Sequence, residues 1–159
     1  MEKIASFTVN HILLNPGIYV SRVDKVNDEY ITTYDLRYLK PNNGLYLSTK
    51  AMHTIEHLGA TFLRNHPIYK DKVIYFGPMG CRTGFYIILS LDVSSKDIVH
   101  LVKEMNDFVL DFVGEIPGAS PKDCGNYKDM SLEGAKKFAK KYNDEFLSNP
   151  KDEQLNYPN

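Results

Sequence analysis

Tyr30-Ile31-Thr32-Thr33-Tyr34-Asp35-Leu36-Arg37-Tyr38 alternates too regularly to be anything but a strand. Tyr30, Thr32, Tyr34, Leu36 and Tyr38 fall on one side, and Ile31, Thr33, Asp35 and Arg37 on the other. Upstream, Gly17 to Val26 reads as its hairpin partner, turned at Asn27-Asp28. Downstream, Pro41-Asn42-Asn43-Gly44 is a turn, and Ser48 or Thr49 caps a helix running to about Asn65, with Pro67 beyond its end. A third strand, Val73 to Phe76, is broken by Gly77-Pro78-Met79-Gly80. The fourth, Thr83 to Val93, is apolar on both faces and is expected at the centre of the sheet. Ser94 or Ser95 opens a second helix with the stripe Ile98, Leu101, Val102, Met105, Phe108, Val109 and Phe112, closed by Gly114. An irregular stretch, Ile116 to Tyr127, leads to a third helix from Ser131 to about Leu147. Asn149 to Asn159 is a polar tail expected to fray. The pattern predicts one α+β domain over 1–159: a mainly antiparallel four-stranded sheet with helices on one face.

At 159 residues, 43% hydrophobic and 25% charged, the chain can bury a core without staples. A net charge of −1 gives no basic footprint, so no nucleic-acid partner is expected. The longest uncharged apolar stretch, Phe85-Tyr86-Ile87-Ile88-Leu89, is far short of a membrane span. Met1-Glu2-Lys3-Ile4 does not begin an export signal, and a cytoplasmic protein is expected. In that setting Cys81 and Cys124 point to metal or catalytic chemistry rather than to a structural disulfide.

The first helix carries His53-Thr54-Ile55-Glu56-His57, an HxxEH pattern. Residues i and i+4 stack on a helix, so both imidazoles can reach one ion, with the Glu56 carboxylate beside it. Stepping round the helix by about 100° per residue puts Met52, Ile55, Leu58, Gly59, Phe62 and Leu63 on one side. His53 and His57 fall on the other, about 40° apart, which excludes a role inside the core packing. The plainer reading is a solvated helix face.

An open catalytic site needs a third protein ligand. The candidates are Cys124, Cys81, His11, His66 and His100. His100 reads as solvated, and His66 as a helix-end histidine facing the dipole. Cys124 ranks first, because a thiolate is the softest donor available and Gly125 lets the backbone fold inward. Cys81 lies in Pro78-Met79-Gly80-Cys81-Arg82-Thr83-Gly84, where glycines permit close approach of a ligand and Arg82 can favour a thiolate if it turns back. Packing and function are evenly matched there on spacing alone.

Taken in order, His53-Thr54-Ile55-Glu56-His57-Leu58, the segment from Pro78 to Phe85, and Cys124-Gly125 make the chain resemble the S-ribosylhomocysteine lyase (LuxS) family. Ser6-Phe7 with His11, Tyr34-Asp35-Leu36-Arg37, Pro41-Asn42 and Ser131-Leu132-Glu133 extend the likeness to residues 5–147. The resemblance implies a cytoplasmic homodimer with active sites at the subunit interface. Each site would hold one divalent metal through His53, His57 and Cys124, with Fe²⁺ expected as the native ion and Zn²⁺ suiting the same ligands. It further implies Glu56 and Cys81 as the proton-transfer groups and Ser6, His11 and Arg37 as substrate contacts. The implied reaction cleaves S-ribosyl-L-homocysteine to homocysteine and 4,5-dihydroxy-2,3-pentanedione, the precursor of the autoinducer-2 quorum-sensing signal, by two carbonyl-shifting isomerisations and a β-elimination. Tyr75 stands where relatives often carry an acidic residue lining the site.

Two other classes compete. HxxEH also marks inverzincin metallopeptidases, for which Glu104 or Glu115 would be the downstream ligand. A non-catalytic metal module would need four protein ligands, and three are convincing.

Overall fold

The computed structural model describes all residues, 1–159. Strands β1 (Gly17–Val26), β2 (Glu29–Arg37), β3 (Val73–Pro78) and β4 (Gly84–Leu89) form one antiparallel sheet in the order β1-β2-β4-β3. The β1–β2 turn places Asn27 at φ 55°, a conformation Asn tolerates. β4 is central, as its two apolar faces predict, but stops at Leu89, short of the expected Val93.

The register sorts side chains into two faces. Ile18, Leu36 and Phe85 form one row of the inner face, and Val20, Tyr34 and Ile87 the next. Helices α1 (Thr49–Asn65), α2 (Val99–Asp111) and α3 (Leu132–Tyr142) cover this face, joining it in a core of 27 buried residues. The buried tyrosines keep their hydroxyls bonded. Tyr34 donates to the Val93 carbonyl at 2.7 Å, and Tyr142 to that of Gly17 at 2.8 Å. Tyr38 stacks on Tyr142 with ring centroids 4.0 Å apart.

The Ser48 side chain caps α1 by accepting from Ala51 N, and the Ser131 side chain caps α3 by accepting from Gly134 N, as their sequences predict. α2 starts later than expected. A 3₁₀ turn over Lys96–Ile98 precedes it, because Asp97 accepts from Ser94 N and Oγ and closes a local turn instead of the first helical turn.

The polar tail does not fray. Lys151 begins a 3₁₀ turn over Asp152–Gln154, and the Gln154 amide donates to the Pro16 carbonyl at 2.9 Å and to that of Glu145 at 3.1 Å. Leu155 is buried against the core. Composition alone missed this, since one amide and one leucine anchor an otherwise hydrophilic stretch.

No helix is long and apolar enough to cross a membrane. The second sheet face carries no helix. Its rows run Gly17–Arg37–Gly84, then Tyr19–Asp35–Tyr86–Gly77, then Arg22–Thr33–Ile88–Tyr75.

Candidate functional site

α1 buries Ala51, Thr54, Ile55, Leu58, Gly59 and Leu63, which leaves His53, Glu56 and His57 on its far side as the sequence predicts. That side is only partly solvated. The segment between α2 and α3 runs over it and fixes both rings: His53 Nδ1 lies 2.9 Å from the Asp129 carbonyl and His57 Nδ1 2.8 Å from that of Pro117. A carbonyl only accepts, so each Nδ1 carries the proton and each Nε2 presents a lone pair. Gly118 has φ +74°, and a Cβ there would meet His57 Nδ1 at 3.1 Å. Glycine is what allows the chain to pass the ring.

The same segment delivers Cys124. Its N–H donates to the Ser120 carbonyl at 3.0 Å, in a turn whose Ser120 and Asp123 side chains bond at 2.7 Å. Its sulfur lies 3.4 Å from His53 Nε2. One donor atom each from His53, His57 and Cys124 lies within 4.8 Å of the others. Two imidazoles anchored at Nδ1 and a thiol at this spacing are a donor set that could hold a divalent ion.

The other histidines are engaged elsewhere. His66 is buried; its Nδ1 accepts from Ile68 N and Tyr69 N, and its Nε2 meets Glu104 at 3.0 Å. Its role is to close the end of α1, and it engages Glu104, one of the two carboxylates that a peptidase reading could use. His100 bonds the Tyr69 hydroxyl at 3.0 Å.

A second group forms on the helix-free sheet face. A pocket of about 340 Å³ is lined by Ser6, Phe7, Val9, His11, Asp35, Arg37, Cys81, Tyr86 and Tyr157, together with Pro78, Met79 and Gly80. Ser6 comes from a 3₁₀ turn over Ala5–Phe7, and His11 is held by its Nδ1 contact to the Val9 carbonyl at 2.9 Å. Arg37 and Asp35, two residues apart on β2, share this face and form a buried bidentate pair: Nε to Oδ1 at 3.1 Å and Nη2 to Oδ2 at 2.5 Å. Burial pushes the Asp35 carboxyl up, and Arg37 opposes that push. Burial alone would lower Arg37, but Asp35 more than offsets it, so the guanidinium stays charged.

The third guanidinium nitrogen, Nη1, faces the Thr83 hydroxyl at 2.7 Å and the Cys81 sulfur at 3.8 Å. Thus the cation beside Cys81 is Arg37 and not Arg82. At φ 59° Arg82 turns away, toward the Leu47 carbonyl and the Tyr46 ring. Cys81 is exposed and is not a packed core residue. Tyr75 lies outside the pocket lining, with its ring against Gly77.

The residues singled out in the sequence therefore gather in two groups, not one. None of His53, Glu56, His57 or Cys124 lines the pocket that holds Ser6, His11, Arg37 and Cys81. Sequence reasoning missed Asp35, whose i+2 spacing from Arg37 was the available signal, and Tyr157, for which no local signal exists.

Comparison with known proteins agrees in extent with this single-domain description. Residues 4–153 match the family described as S-Ribosylhomocysteinase (LuxS). Proteins named S-ribosylhomocysteine lyase from Clostridium acetobutylicum and Clostridium beijerinckii are each 58% identical, the first over 99% of both chains and the second over 100%. One of the same name from Desulfotalea psychrophila is 56% identical over 99% of both chains. With more than half identity along its whole length, and with the HxxEH helix, the Cys81 bend and Cys124 in place, the chain belongs to the S-ribosylhomocysteinase (LuxS) family.

Proposed function

We propose that this protein is a metal-dependent S-ribosylhomocysteine lyase, which cleaves S-ribosyl-L-homocysteine to homocysteine and 4,5-dihydroxy-2,3-pentanedione. The observation that carries the reading is an exposed Cys81 thiol, 3.8 Å from a buried guanidinium, in the wall of a pocket of about 340 Å³. Full-length relatives bearing the lyase name support it.

Breaking this thioether without a redox cofactor requires a carbonyl β to the sulfur. The sugar carbonyl reaches C3 by two isomerisations, each removing a proton from one carbon and returning it to its neighbour. Cys81 suits that transfer, because the Arg37 guanidinium faces its sulfur from one side while the pocket leaves the other side open. With the carbonyl at C3, loss of the C4 proton expels homocysteine as the thiolate from C5, and the enol left behind tautomerises to the dione. A divalent ion held by His53, His57 and Cys124 supplies Lewis acidity toward the sugar oxygens when bound. Glu56, half-buried beside the imidazoles, moves protons among the hydroxyls. Ser6, His11 and Arg37 hold the substrate so that the transfers occur between groups already in place.

Two chains unite the two groups in this reading. The helix-free sheet face bears Ile88 and Tyr75, the latter 47% exposed, and Phe7 beside it is 70% exposed. A second copy covering this face as a homodimer would bring one chain's Cys81 to the other's imidazoles. Both cysteines are free thiols, which suits the cytoplasm, and Fe²⁺ is the ion proposed, with Zn²⁺ as substitute. Incubation with S-ribosylhomocysteine tests the function: release of one new thiol per substrate is expected, and no release overturns it.

A further inference from the structure

The tail that the core anchors through Gln154 and Leu155 ends on the pocket. Tyr157 stacks on Tyr19 with centroids 4.8 Å apart and planes 7° from parallel, and Tyr19 is itself tied by its hydroxyl to the Asn15 carbonyl at 2.9 Å. This stack delivers the Tyr157 hydroxyl to Asp35 Oδ2 at 2.8 Å. Burial, reinforced by the Asp35 charge, holds that hydroxyl above the ordinary tyrosine range, so it remains a donor.

The Asp35 carboxylate thus receives three hydrogen bonds: Arg37 Nε on one oxygen, Arg37 Nη2 and Tyr157 on the other. A carboxylate's terminal torsion is soft. Two bonds from one guanidinium define how the two groups lie relative to each other, and the Thr83 hydroxyl holds Arg37 Nη1 at 2.7 Å, but neither anchors the Asp35 carboxylate from outside the pair. The third donor comes from a different part of the chain and supplies that anchor. It also draws charge from an anion that would otherwise repel a thiolate in the same pocket wall.

We propose that Tyr157 is a positioning residue for Cys81: by fixing Asp35, it holds the Arg37 guanidinium where Nη1 faces the sulfur. The inference rests on the lyase reading for its catalytic meaning. The charged and titratable groups around the sulfur are Asp35 and Arg37 from β2, Tyr86 from β4, His11 from the N-terminal segment, and Tyr157.

The test compares wild type, Tyr157→Phe and Tyr157→Ala as full-length, metal-loaded proteins. Phe keeps the ring on Tyr19 and removes only the donor. Iodoacetamide alkylation of Cys81 is followed by peptide mass spectrometry across pH, with cysteine-free peptides of the same digest as internal reference, alongside steady-state thiol release. Tyr157→Phe is expected to slow Cys81 alkylation several-fold near neutrality, to move its pH profile upward, and to lower kcat on the order of tenfold with KM within about twofold. Tyr157→Ala should do no less. If Tyr157→Phe alkylates with the wild-type rate and profile, or rescues everything that Tyr157→Ala loses, the ring matters only for packing and the proposal is wrong. Absence of thiol release from wild type would instead overturn the lyase reading, while the alkylation comparison still decides the role of Tyr157.

Discussion

Cys124 and His53 stand 71 residues apart in the chain, yet the sulfur of one lies 3.4 Å from Nε2 of the other. That approach depends on the irregular segment between α2 and α3, which also supplies the two carbonyls that orient the imidazoles. Proposed ligand and orienting groups therefore travel together. Replacing His57 by Ala or Cys124 by Ser should remove metal and activity in parallel, as measured by elemental analysis beside turnover. A metal-replete, active His57→Ala protein would contradict the assignment.

Gly118→Ala is expected to weaken metal retention without touching a ligand. The new methyl would sit 3.1 Å from His57 Nδ1, on backbone at φ +74° that alanine resists. Disturbing the orienting contact of a ligand histidine typically costs about 10- to 100-fold in affinity. A chelator competition assay reads this directly.

Cys81→Ala should keep its metal and its fold while losing turnover by roughly 10²- to 10⁴-fold, the usual worth of a positioned acid–base group. Mixing that variant with Cys124→Ser chains separates the intersubunit arrangement from a site built within one chain. Random exchange should restore about a quarter of wild-type activity, because half the dimers then carry one intact site of two. No recovery after verified exchange would place each site within a single chain.

Gly59→Ala should destabilise the fold, although alanine favours a helix by about 1 kcal/mol. A Cβ there would overlap the Phe76 ring, which is buried and stacked on Phe85 with centroids 5.3 Å apart. Overpacking of this kind costs about 1–3 kcal/mol. Urea denaturation should show a lower midpoint with an unchanged slope.

Stability should fall in alkali. Burial lifts Tyr19 from its ordinary 10.0 to about 12, and shifts Tyr34, Tyr38 and Tyr142 the same way. Unfolded, these phenols ionise near the ordinary value, so above it the unfolded chain sheds protons that the fold retains. The contribution of Tyr19 is complete below about pH 10 and is lost as the pH rises through about 12. Tyrosinate absorbance should rise together with loss of circular dichroism, and independent rises would refute the coupling.

How far the sequence speaks depends on the distance over which each decision is made. Helix α1, its cap at Ser48 or Thr49 and the paired imidazoles follow from period and spacing within a few residues, and the structure has the helix, the Ser48 cap and the two rings side by side, edge to face. The alternation in β2 separates Tyr34 and Leu36 from Asp35 and Arg37, which is how they lie. The same alternation cannot tell that the polar side is covered, because what covers it is Tyr157, more than a hundred residues later in the chain. The orientation of Arg82 is likewise invisible to spacing, since its φ of 59° reverses the side-chain direction at a bend. Local chemistry was legible, and coverage by distant segments was not.

None of His53, His57 and Cys124 belongs to the 27-residue core, and their orienting bonds come from backbone carbonyls already in place. The buried core therefore does not include the proposed ligands, and the fold is expected to persist without an ion, unlike a zinc finger, where loading and folding are one event. A subunit carrying the wrong metal would be as well folded as a correct one. Proteases and chaperones that survey for unfolded chains would pass it, so if the proposed ion is bound, fidelity of loading would have to come from which ions are at hand during assembly.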